Sequence, residues 1–391
     1  MKTEQEQTYR KYHRFIQTLI TISGCSHVTK IGKISTVISL LVNTLYSVIR
    51  LYKAYYYRHN LSIMMSYIGG STSSLGSLLK MIRCVINHDI MMNYRRTLND
   101  LFENEYMENE KIQTIMNSSL PSIIIMVYIY SAIYIIVIVM ITMPGCISIF
   151  NFYHSNSTTN YTLPSVRGYG YLWIIVDFIR YHYRVLFGTL ELMIICLISF
   201  CVDTAFGLYA YQFAAIIDSM HFKLTNPLPT ENISDTLKTC VAKHQKLLLC
   251  RDILENMYAP IVLWHIVTNA VLLCALIYEL SLQQLSDLNF ISIFTSLTYS
   301  GVKLLQTFIY AWHGTLLADA SEKLRNGIYF SKWHNSRLDR HVRTNVILIM
   351  MQKPMSINAY FASVDMILFT NFVNTTISYF FLLQSVSDKN E

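Results

Sequence analysis

The sequence predicts an all-α, polytopic membrane protein: seven transmembrane helices with a cytoplasmic N-terminus and an extracellular C-terminus. Three observations carry this expectation. The 391 residues are 53% hydrophobic and only 14% charged, where a soluble domain carries roughly 25% charged residues. Apolar runs of the length that crosses a bilayer, about 20 residues, recur along the chain, separated by polar stretches too short to bury a core of their own. Lys and Arg, in excess by a net charge of +7, fall in alternate segments between those runs.

The opening stretch, MKTEQEQTYRKYHR, lacks the apolar centre of a signal peptide, so the first span is expected to direct insertion. The expected spans cover residues 33–52, 61–82, 123–143, 186–211, 259–280, 290–317 and 361–386, within one domain of 1–391. Gly69, Gly70 and several serines loosen the second run and permit close helix contact. The third is built from Ile, Val, Met and Tyr and closes on Pro144-Gly145. A short apolar piece at 171–179, interrupted by Asp177, is too brief to cross and reads as loop or helix start.

Basic residues cluster before the first span and between spans two and three, four and five, and six and seven. By the positive-inside rule those segments are cytoplasmic. The order is opposite to that of a G-protein-coupled receptor. Asn156 and Asn160 begin sequons in the longest outer loop and are the expected glycosylation sites. The eight cysteines show no metal-ligand or redox spacing, and only Cys146 falls outside; the rest read as small buried apolar residues.

Three groups of residues in the last part of the chain carry a resemblance. The segment 237–280 holds His244-Gln245, then Leu254-Glu255 and Tyr258-Ala259-Pro260, and runs into the fifth span. The sixth span carries Tyr310-Ala-Trp-His-Gly314, followed by Ala320-Ser321-Glu322, Ile328-Tyr329 and Trp333. Gln352-Lys353-Pro354 and the terminal Ser378-Tyr379-Phe380-Phe381-Leu382-Leu383 complete the set. In this order, and with inverted seven-span topology, they resemble the insect odorant receptor family. Ile377 stands where that family's closing motif usually begins with Tyr, and Asn358-Ala359-Tyr360-Phe361 stands at a start of the last span that usually contains glycine. The chain also lacks the long second cytoplasmic loop of the shared odorant co-receptor, so it resembles a ligand-tuning subunit.

The resemblance implies a volatile-gated, non-selective cation channel, a heterotetramer with odorant co-receptor subunits in the dendrite membrane of olfactory sensory neurons. It places an apolar gate on Leu382 and Val386, one helical turn apart. Asn371, Asn374 or Thr375, and Ser378 share a polar stripe on the same span, suited to a water-facing wall or to polar helix contacts. The outer halves of spans two, three, four and six are expected to face one another around the odorant. Candidate lining residues are Met64, Tyr67, Tyr134, Ile138, Phe187, Leu190, Met193, Phe294 and Tyr299, of a composition that also describes plain core. Tyr329 and Trp333 fall in a basic and aromatic region expected to contact another subunit or lipid headgroups rather than nucleic acid.

Ionisable residues inside spans are functional suspects. Those identified are Glu191, Asp203, Lys303 and Asp365. At about 1.5 Å per residue, Asp203 and Lys303 fall at similar depth, roughly 20–25 Å, and are expected to pair. Glu191 is expected to pair with Arg184 or to meet a ligand amine. With no G-x-S-x-G, H-E-x-x-H, P-loop or paired ligand set, no enzyme and no cofactor or metal is expected. The rival readings are a gustatory receptor of the same fold and a small-solute transporter, the latter without the inverted repeat it requires.

Overall fold

The computed structural model describes residues 2–25, 30–59, 61–155, 177–226, 233–282, 290–330 and 340–387. Six of the expected apolar runs fall in helices and the seventh does so from residue 366 on: α2 (Lys30–Tyr56), α3 (Leu61–Ile86), α6 (Leu120–Ser155), α7 (Asp177–Thr225), α8 (Ile233–Leu282), α9 (Phe290–Phe330) and α11 (Met366–Ser387). Among the described residues, four helical stretches are by length and composition alone apolar enough to cross a membrane: Gly32–Tyr56, Glu110–Ile147, Val185–Thr225 and Ser234–Leu273. The other three helices are interrupted by polar or small residues, among them Gly69, Gly70 and Lys80 in α3, Lys303 and Gln306 in α9, and Asn371 and Asn374 in α11.

α7 is the axis of the bundle, with α1, α2, α3, α4, α5, α6, α8 and α9 packed on it. Residues 198–217 are all buried, which is why apolar residues fall on every side of this stretch rather than on one face. At 49 residues α7 is about 74 Å long, more than twice the roughly 30 Å apolar thickness of a bilayer. α8, with 50 residues, and α9, with 41, are similarly long. The three therefore extend beyond any membrane as a common helical stem.

Three shorter helices clothe that stem: α1 (Lys2–Ile22), α4 (His88–Tyr106) and α5 (Glu110–Met116). α1 buries Tyr9, Tyr12, Ile16 and Ile20, a period of three to four residues that places them on one face. Tyr9 stacks on Phe102 of α4 at 4.7 Å, and Gln212 of α7 donates to the Tyr9 hydroxyl (2.9 Å) and to Asn99 (2.8 Å). Asn109 caps α5 by accepting from the Lys111 N–H.

The seventh expected span begins later than the sequence suggests. α10 (Arg340–Met351) is followed by a two-stranded antiparallel hairpin, β1 (Asn358–Ala359) and β2 (Ala362–Ser363), and only then by α11. Tyr360, in the turn, has a φ of 59°, unfavourable for a residue with a side chain. Asp365 is the N-terminal cap of α11, accepting from the Leu368 N–H at 2.9 Å. It is therefore not an ionisable group within a span.

The residues that carry the resemblance hold this linker in place. Glu255 of α8 accepts from the Asn358 N–H (3.1 Å), Ser321 of α9 from the Met355 N–H (2.7 Å), and Thr315 from the Met366 N–H (2.9 Å). Gly314 explains its own identity: a Cβ there would lie 1.8 Å from the Val364 carbonyl oxygen, so only glycine lets the linker lie against α9.

Candidate functional site

The most densely bonded polar group inside the bundle is Asp203 of α7. Its Oδ1 accepts from Lys80 Nζ of α3 at 2.6 Å and from the Tyr310 hydroxyl of α9. Its Oδ2 accepts from the Tyr130 hydroxyl of α6 at 2.6 Å and from Gln306 Nε2 at 2.8 Å. A carboxylate offers about four acceptor positions, and here all are taken. Tyr134 lies 3.1 Å from the Tyr130 oxygen; since Tyr130 gives its proton to Asp203, Tyr134 is the donor of that pair.

The expected Asp203–Lys303 pair is therefore not formed. Lys80 occupies the place assigned to Lys303, because depth along the bundle does not fix the azimuth, and α3 presents its lysine at the same level. Lys303 is 8% exposed. Its ammonium lies 5.5 Å from the centre of the Tyr299 ring and forms no ion pair or hydrogen bond among the described residues. The second correction concerns Glu191, which pairs with Arg50 of α2 at 2.8 Å rather than with Arg184. Arg50 also donates to the Gly70 carbonyl at 2.8 Å. Lys80 and Arg50 both lie inside the expected spans at 61–82 and 33–52; that position is the signal, missed when Lys80 is counted with the loop charges and Arg50 is passed over.

A satellite apolar cluster adjoins this hub. It joins Tyr130, Tyr134 and Val137 of α6, Cys196 and Phe200 of α7, and Val302 and Ile309 of α9, with Ile138, Ile141, Leu192 and Leu305 half-buried at its margin. Of the expected ligand residues, Tyr134 and Ile138 belong here. Tyr299 is half-buried, with its hydroxyl 2.6 Å from Ser73 Oγ of α3. Tyr67 is buried, stacked on Tyr57 at 5.8 Å, and Met64 is half-buried. Phe187, Leu190 and Met193 do not turn inward: spaced three apart on α7, they stand on its exposed face, and Phe294 of α9 is exposed as well.

On α11, Asn371, Asn374, Thr375 and Ser378 are all exposed along one face, and the Thr375 and Ser378 hydroxyls donate to carbonyls one turn earlier. Leu382 and Val386 continue this helix, with side chains outside the described residues. Tyr329 is exposed at the end of α9, edge-on to Phe330 at 5.1 Å. Trp333, Asn156 and Asn160 lie outside the described residues. Among the described residues, six cysteines are buried and Cys146 is exposed, all as free thiols.

In the stem, Glu105 of α4 forms a second polar hub. It is fully buried and receives Lys223 of α7 at 2.9 Å, Lys243 of α8 and the Ser219 hydroxyl. Burial pushes its carboxyl up, but the bonds from Lys223, Lys243 and Ser219 outweigh burial and hold it below the usual Glu value.

A bundle of long helices around a buried axis, with a polar network inside its apolar part, defines a multi-pass membrane protein. The family model described as 7tm Odorant receptor matches residues 70–377, and the chain belongs to that family. It is 23% identical to Odorant receptor 9a of Drosophila melanogaster over 48% of this chain and 47% of that protein. It is 22% identical to the odorant receptor coreceptor of Anopheles gambiae over 39% of this chain and 31% of that protein. These matches span about half the length of their relatives, or less. The solved insect olfactory receptor OR5 from Machilis hrabei in complex with eugenol has the same seven-helix fold, with a TM-score of 0.79 at 15% identity over 96% of this chain and 98% of that one.

Proposed function

We propose that the chain is the ligand-tuning subunit of a volatile-gated, non-selective cation channel, a heterotetramer with odorant co-receptor subunits in olfactory dendrite membranes. The family match over 70–377 is the observation that supports it. The N-terminus is cytoplasmic in this reading: the stem formed by α1, α4 and the ends of α7 to α9 carries Lys223, Lys243 and the other loop cations. The odorant lies among α3, α6, α7 and α9, near Tyr134, Ile138 and Tyr299, with Met64 and Tyr67 further along α3. Phe187, Leu190, Met193 and Phe294 form the outer margin of that site.

α11 lines the pore with its exposed polar face, narrowed at Leu382 and Val386. Tyr310 connects the two parts, since it bonds Asp203 and also lines a crevice with His265, Val364, Leu368 and Phe369 at the start of α11. A ligand that shifts α9 thus bears on the pore helix through packed side chains. Tyr329 and Trp333 belong to the subunit contact, and Asn156 and Asn160 carry glycans.

The test is membrane current in cells bearing this chain alone, or with the co-receptor, during application of a broad volatile panel. Cation current in response to volatiles that requires both chains is expected. Current from this chain alone, evoked by sugars or bitter compounds, would replace the reading with a gustatory one.

A further inference from the structure

We propose that Lys303 recognises the carboxylate of an acidic volatile, whose apolar tail lies in the cluster formed by α6, α7 and α9. The inference rests on the receptor reading above and deepens it by assigning a ligand class. Its foundation is a charge imbalance. In this part of the bundle two ammonium groups, Lys80 and Lys303, face one carboxylate, Asp203, whose four acceptor positions are filled by Lys80, Tyr130, Gln306 and Tyr310. The nearby Glu191 is engaged by Arg50. Among the described residues, Lys303 is left with a tyrosine ring at 5.5 Å and no paired anion.

An ammonium held in a mostly buried side chain without an anion is costly, more so in a bilayer than in water, and Lys303 is only 8% exposed. Ring contact compensates only part of that cost. The remaining polar neighbours of the ammonium are the Asp203 charge and the Cys196 thiol. His265, with neither ring nitrogen bonded, adds no negative charge. A bound carboxylate restores neutrality, and a charge-assisted N–H···O bond is about twice as strong as a neutral one.

The surroundings fit an amphiphile of this kind. Tyr134, Val137, Cys196, Phe200 and Val302 make an apolar cluster that adjoins the lysine through Cys196 and its chain neighbour Val302, and Ile138, Ile141, Leu192 and Leu305 are half-buried at its margin. Such a site grips one charged end and leaves the tail to nonspecific packing, so it sorts ligands by headgroup first and by length second.

The experiment uses the chain with the co-receptor, straight-chain carboxylic acids from propanoic to decanoic, and the methyl ester and alcohol of each. Wild-type receptor is expected to respond to its best acid at a concentration at least about tenfold lower than to the matching ester. Lys303→Met is expected to raise the half-maximal concentration of that acid by about tenfold or more, with the ester response within about twofold of wild type. Lys303→Arg, which keeps the charge, is expected to retain the acid preference.

If wild-type receptor responds to esters and alcohols but not to acids, or if Lys303→Met changes acid and ester responses alike, the assignment of Lys303 is wrong and the receptor reading stands. If no volatile opens a channel when both chains are at the surface, the receptor reading falls, and this proposal with it. The wild-type acid-to-ester comparison needs no variant, so poor folding of Lys303→Met leaves the test intact.

Discussion

The two polar hubs of this molecule each set two lysines near a buried carboxylate and balance them differently. At Glu105 in the stem, Lys223 and Lys243 both reach the buried carboxylate, Lys223 also pairs with Glu108, and a serine hydroxyl completes the set. At Asp203 among the membrane helices, one lysine reaches the carboxylate, two tyrosines and a glutamine fill its other positions, and Lys303 is turned away. A hub in which every charge is matched joins helices and nothing more. A hub that leaves one cation unmatched gives up stability, and the natural reason to keep it is an external anion. The contrast in bonding is what the proposed recognition role of Lys303 rests on.

The largest expected effect comes from breaking the hub that is already imperfect. Asp203→Asn leaves Lys80, fully buried, beside an uncharged amide, and the expected loss is about 3–5 kcal/mol of stability. Thermal unfolding in detergent checks it, and Lys80→Met combined with Asp203→Asn should recover part of the loss; a double variant worse than Asp203→Asn alone would argue against the pair. Gly314→Ala comes next, because the new methyl meets the Val364 carbonyl. About 1–3 kcal/mol is expected, with reduced surface delivery read by extracellular labelling.

Glu105→Gln is milder, since Lys223 and Lys243 are 15% and 21% exposed at the side chain and can turn to water. About 1–3 kcal/mol is expected from lost charged hydrogen bonds. The same hub sets an acid dependence. The folded Glu105 carboxyl titrates below its ordinary value, so its stabilisation is fully present above that value, about 4.3, and is lost as pH falls through the lower folded one. Unfolding temperature should therefore drop on acidification below the ordinary Glu value, and Glu105→Gln should flatten that drop. Smallest is Tyr360→Gly, which relieves the positive φ and should raise stability by about 1 kcal/mol or less.

The sequence revealed the long helices because burial in lipid demands continuous apolar runs, and such runs survive without knowledge of neighbours. It did not reveal α1 and α4, whose Tyr9, Tyr12, Tyr94 and Phe102 alternate with charged residues and read as polar until their partners on α7 are known. The hairpin before α11 was hidden for another reason: two residues per strand carry no period, and Tyr360-Phe361 looks like the first turn of an apolar helix. Asp203 was legible as a suspect, and its depth was too. Its partner was not, because pairing Lys80 to Asp203 depends on the rotation of α3 against α7, 123 positions away in the chain.

The central claim is the proposal that the Asp203 hub sets the position of a ligand-binding cation beside it, while the Glu105 hub only joins helices. The most direct measurement is the half-maximal ligand concentration of channels that reach the surface, compared between Asp203→Asn and Glu105→Gln, each with the co-receptor. Glu105→Gln should lower the number of channels and leave their ligand sensitivity within about twofold of wild type, while Asp203→Asn should shift sensitivity by about tenfold or more. Equal shifts in both variants, or none in either, would contradict the distinction.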